Sequence, residues 1–67
     1  MTNLKRYRLM MGMKQKELAS KLNITPQSVN TMELKGIYDT RIAVKYAAAF
    51  KCNPIFLLDG LTNTQHN

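Results

Sequence analysis

Five cationic side chains, Lys14, Lys16, Lys21, Lys35 and Arg41, gather around one stretch of this sequence, and the chemistry they offer is attraction to a polyanion. Over the whole chain 10 lysines and arginines stand against 4 acids, for a net charge of +6. Such an excess points to nucleic acid or to an anionic membrane surface. A membrane-surface module would concentrate its charge on the first helix, and this chain spreads it around the second and third. Groups able to make or break bonds are scarce. There is no pair of carboxylates placed for acid–base work, no His with a Ser or Cys partner, and no phosphate-cradling glycine loop. An enzyme is not expected. One cysteine, Cys52, and one histidine, His66, cannot make a zinc site, so neither metal nor cofactor is expected. Cys52 falls at an apolar helix end and reads as a small core residue.

The elements that hold these cations are helical. Strict apolar–polar alternation appears nowhere, and hairpin dipeptides such as Asn-Gly are missing. The fold class is therefore all-α, with five short helices over residues 1–60 and a flexible polar tail over 61–67. The first helix is expected over 3–10, with Leu4, Tyr7, Arg8 and Met11 on one stripe. The second runs over 15–22, with Leu18, Ala19 and Leu22 inward and Lys16, Glu17 and Lys21 outward. Thr25 caps the third and Pro26 opens it, where a missing N–H costs nothing. Val29, Met32 and Glu33 share one face of that helix, and Gln27, Ser28, Asn30 and Thr31 share the other. Lys35-Gly36 ends it, with Gly36 free to take positive φ. Asp39 or Thr40 caps a fourth helix over 41–51 with Ile42, Tyr46, Ala49 and Phe50 inward. Asn53-Pro54 starts a fifth over 54–58. Periodicity places Tyr7, Tyr46, Phe50 and the methionines in or near the core.

A chain of 67 residues is one domain. At this length only roughly 60% of the unfolded surface is buried, so the core is thin and self-association would help it. The start leads into no long apolar run, so neither a signal peptide nor a transmembrane helix is expected, and the expected compartment is cytoplasmic. No small-molecule substrate is expected.

The connection Asn23-Ile24-Thr25 forces a sharp crossing between the second and third helices, as a helix-turn-helix needs. Ala19 is small where the helices meet, and Asn23 tolerates the left-handed φ of the turn. Ile24 and Val29 fill the wedge between them. The order Gln15, Leu18, Ala19, Leu22, Asn23, Ile24, Val29, Met32, Glu33 is together fairly specific.

In the stretch from Met13 to Glu33 that carries this order, and in the ending Cys52-Asn53-Pro54-Ile55-Phe56-Leu57-Leu58-Asp59-Gly60, the sequence resembles the Cro proteins and C-type repressors of lambda-like phages, within the Xre-like helix-turn-helix family. The resemblance covers residues 4 to 60 and implies a lambda-repressor-like domain that binds a near-palindromic double-stranded DNA operator as a homodimer and represses transcription. It implies that Gln15 meets a phosphate at the start of the second helix, the alternative being a surface glutamine. It implies base reading by Gln27, whose amide can both donate to and accept from adenine. Ser28, Asn30 and Thr31 are its neighbours: Thr31 would meet a thymine methyl or a base edge, and Asn30 would read adenine or hold a phosphate. Pro26 departs from the family pattern and offers only an apolar contact. Lys14, Lys35, Tyr38 and Arg41 would lie along the DNA backbone. Arg41 would approach a narrow minor groove, the alternatives being a solvent-facing charge or a dimer contact. Arg8 and Glu33 would form a structural ion pair linking the first and third helices.

Ile55, Phe56 and Leu57 are three successive apolar residues, and a helix cannot turn all three inward. In the resembling family this segment builds the dimer interface. Other binders with the same fold remain open: a plasmid regulator, an antitoxin, or the isolated N-terminal domain of a larger repressor. For an antitoxin the polar stretch 61–67 is too short to hold a toxin.

Overall fold

The structure, a computed structural model, describes residues 1–60. The expected tail over 61–67 lies outside the described residues. Four α-helices follow in order: α1 (Asn3–Met10), α2 (Gln15–Leu22), α3 (Pro26–Lys35) and α4 (Thr40–Phe50). The fifth element is a 3-10 turn, Pro54–Leu57, where a fifth α-helix was expected. Asn53 starts it by accepting the Ile55 N–H on Oδ1 at 3.1 Å. It stops after four residues because Leu58 is extended, at ψ 125°, which lets Asp59 N–H reach the Ile37 carbonyl at 2.8 Å.

The core takes side chains from every element. Leu4, Leu18, Ala19, Val29, Ile37, Ala43, Tyr46, Ala47, Phe50 and Leu57 are all buried. Leu4, Leu18, Ile37, Leu57 and Val29 are the largest that are fully enclosed, each worth about 1.5–3 kcal/mol of burial. On α4 the inner face includes Ala43 and Ala47, while Ile42 and Ala49 are only half-buried. That helix is apolar nearly all round, so its sequence leaves the rotational phase open, and alanines facing inward let α2 come close. Met11 lies just beyond α1 and is 52% exposed, and Met1 and Met10 are exposed too, contrary to the core expectation. Met13 and Met32 do pack against the core, as does Cys52.

One carboxylate clasps three parts of the chain. Asp59 accepts the Asn3 N–H at 3.0 Å, in the first turn of α1, and the Ile37 N–H at 2.9 Å, in the loop after α3. Asn3 Nδ2 returns a bond to the Leu58 carbonyl at 2.9 Å. Gly36 sits against this clasp at φ 91°, and a Cβ there would lie 2.9 Å from Asp59 Oδ2 and 3.0 Å from the Tyr38 ring. No side chain fits.

Burial, and secondarily the nearby Glu33 carboxylate, push the Tyr46 phenol above its ordinary 10.0. The neutral phenol is thus favoured by folding. Its contribution is fully present below pH 10.0 and is lost as pH rises through the folded-state value. Urea unfolding from neutral pH upward should show stability falling only above that point, and Tyr46→Phe should reduce the fall. An unchanged profile in Tyr46→Phe would assign the loss to other groups.

Candidate nucleic-acid interface

α2 ends in a paired reversal. Asn23 takes φ 61°, its N–H reaches the Ser20 carbonyl at 3.2 Å, and the Ile24 N–H reaches Ala19 at 3.0 Å. These bonds satisfy the last carbonyls of the helix and turn the chain at once into α3. Thr25 Oγ1 accepts the Ser28 N–H at 3.1 Å, and Pro26 occupies the first helical position. Ala19 is 1% exposed and Val29 is fully buried, so α2 and α3 meet closely there. Ile24 packs against the same core.

This packing leaves the other face of α3 open. Pro26, Gln27, Ser28, Asn30 and Thr31 are all exposed. Gln27 and Thr31 lie one turn apart and border a hollow of about 410 Å³, with Thr25, Ser28, Met32 and Tyr46 as its other walls. The Ser28 hydroxyl is tied to Thr25 Oγ1 at 2.9 Å, so it serves the cap as well as the surface.

The buried face of α3 carries a charge. Glu33 is 3% exposed and meets Arg8 of α1, itself 7% exposed. Arg8 Nε donates to Glu33 Oε2, Nη2 donates to Oε1 at 3.1 Å, and Nη1 donates to the Met13 carbonyl at 2.7 Å. Gln15 Nε2 donates to Glu33 Oε1 at 3.0 Å and also to Asn30 Oδ1 at 3.0 Å. Both Gln15 amide hydrogens are therefore spent within the protein. The resemblance implies a phosphate contact for Gln15; in the structure its amide hydrogens face Glu33 and Asn30. What remains outward at the start of α2 is backbone: first-turn N–H groups have no intrahelical acceptor. The Glu17 carboxylate accepts the Lys14 N–H at 3.0 Å and helps fix that end.

The cations stand around the open face. Lys14 precedes α2, Lys35 closes α3, and both are exposed. The Arg41 side chain is 93% exposed and touches Asp39 at 3.7 Å, a surface pair worth at most about 1 kcal/mol. Tyr38 is 70% exposed, with its ring over Gly36 and Gly60.

Ile55 and Phe56 are exposed, at 52% and 57%. Leu57 was grouped with them as a partner contact. It is instead wholly buried, because successive residues of a 3-10 turn point about 120° apart and one of the three must enter the core. The Phe56 ring stacks on Tyr7 at 6.4 Å, and Tyr7 meets Phe50 edge-on at 5.1 Å.

A family model described as helix-turn-helix matches residues 4–57, from α1 through the 3-10 turn. The chain belongs to the helix-turn-helix family. It is of the Xre-like type, a DNA-binding transcription regulator. No curated protein and no solved structure matches the chain. Among the described residues of this helix-turn-helix protein, no helix is long and apolar enough to cross a membrane. Two features escaped the sequence reading. Asp59 has partners far away in the chain and no local signature, save the Gly60 that follows it. The bond between Gln15 and Asn30 joins residues 15 apart and follows from no periodicity.

Proposed function

We propose that this protein is a Cro-type repressor whose residues 1–60 form the DNA-binding unit. Two copies would place their α3 helices in successive major grooves, roughly 34 Å apart, on a near-palindromic operator, and block polymerase there. The observation that supports this best is the uncovered polar face of α3, with no charged residue among Gln27, Ser28, Asn30 and Thr31. A surface of neutral donors and acceptors suits base edges, and the surrounding Lys14, Lys35 and Arg41 suit phosphates. Gln27 reads adenine, Thr31 meets a base beside it, and Pro26 touches a thymine methyl. Tyr38 and the backbone at Gln15 add phosphate contacts. Ile55 and Phe56 form the two-fold contact between copies.

The test is selection of bound sites from random DNA, repeated with Gln27→Ala. A palindrome with half-sites one helical turn apart is expected, and Gln27→Ala should relax one position in each half. Recovery of no motif would overturn the reading. Phe56→Ala should sediment as a monomer and bind the operator more weakly with little loss of fold, since its ring is largely exposed. Unchanged sedimentation and affinity would remove this residue from the interface.

A further inference from the structure

We infer that the buried Arg8–Glu33 pair sets the polarity of the exposed Asn30 amide through Gln15, and so makes Asn30 a reader of hydrogen-bond acceptors. Each link follows from donor and acceptor chemistry. Arg8 has only donors, so Glu33, bound to it through both oxygens, acts as an acceptor. The Gln15 atom facing Glu33 Oε1 at 3.0 Å must then be its nitrogen. That nitrogen also lies 3.0 Å from the Asn30 side chain, so the Asn30 atom facing it must be the oxygen. The carbonyl edge of Asn30 is thereby turned toward α2, and its NH2 group is the edge left for a ligand. A buried carboxylate thus fixes the donor and acceptor orientation of two neutral amides out to the surface.

This deepens the proposed DNA-binding function and rests on it. A free asparagine can pair with adenine by accepting from one atom and donating to another. With one lone pair of its oxygen taken by Gln15 and that edge turned toward α2, Asn30 presents its NH2 edge in preference to its carbonyl edge. It instead favours groups that only accept: a guanine edge, thymine O4, or a phosphate oxygen. Gln15 is accordingly a positioning residue, acting on DNA through Asn30.

The relay is testable first without DNA. In the free protein, NMR should show the Gln15 side-chain NH2 protected from exchange, with a coupling across the hydrogen bond to the Asn30 side-chain carbonyl carbon. Gln15→Ala should shift the Asn30 NH2 resonance while the rest of the spectrum stays folded. Failure to see either effect would overturn the relay whatever the protein binds. The second arm uses Asn30→Asp, which keeps the acceptor for Gln15 and replaces the donor edge with a carboxylate. Its binding to DNA, selected or random in sequence, should weaken about tenfold or more at unchanged thermal stability. Wild-type affinity in Asn30→Asp would overturn the acceptor assignment. Duplexes with 7-deazaguanine or with single methylphosphonates separate the sources: a loss with the first assigns a base, a loss with the second a phosphate. If a base is read, Gln15→Ala should also admit adenine or cytosine at that position in a selection. Random-sequence binding by the wild type would defeat the operator reading alone, because the spectroscopic arm and Asn30→Asp still decide the relay.

Discussion

Glu33→Ala is expected to leave a large part of the chain unfolded at room temperature. The substitution strands the Arg8 guanidinium, 7% exposed, with the Met13 carbonyl as its one remaining partner. Removing one member of a buried pair costs about 3–5 kcal/mol. A domain of this size has only about 3–10 kcal/mol in total. The loss is therefore comparable to the whole stability, and it adds to the loss of an acceptor for Gln15. Far-UV circular dichroism and urea unfolding read it directly. The double variant Arg8→Met with Glu33→Leu should recover most of the helical signal, since apolar residues of similar volume avoid burying an unmatched charge. A single variant as stable as the wild type would mean that the guanidinium reaches water at little cost.

Operator affinity is expected to fall about a thousandfold when salt rises from about 50 to about 200 mM, if six phosphates are neutralised at a slope of about −0.9 each. Six is the sum of Lys14, Lys35 and Arg41 from each of two copies. The slope carries a second piece of information. Lys35→Ala should flatten it by about 1.8 if a dimer binds and by about 0.9 if a single copy does. Filter binding over a salt series measures both. No change in slope would place Lys35 away from the phosphates, leaving it as an ordinary helix-end charge.

The parts of this molecule that were legible in its sequence are those set by local chemistry. Thr25-Pro26, Asn23 and Gly36 each fix a backbone angle or a cap within a few residues, and the structure has each of them as expected. Helix phase was legible where polar and apolar residues alternate clearly, as on α2, and failed on α4, where Ile42 and Ala43 are equally plausible inward residues. The segment Ile55-Phe56-Leu57 announced that something apolar must stay outside but not which residue, because that depends on the pocket beneath Leu57. For the candidate site, exposure of Gln27, Asn30 and Thr31 was readable from spacing. The direction of the Gln15 amide was not, since it depends on an anion buried in another helix.

The Asp59 clasp bears on the order in which the protein can come together during synthesis. α2, α3 and the turn between them meet partners that lie within a short span of chain. The first turn of α1 is synthesised before the rest of this domain, yet the carboxylate that receives its Asn3 N–H is separated from it by 56 residues. Leu4 and Leu57, at opposite ends of the described chain, belong to the same buried core. A nascent chain halted before Asp59 would hold α3 without the carboxylate that ties α1 to the loop after α3. Closure of the domain would then arrive only with the segment around the 3-10 turn, which also carries the proposed contact between copies.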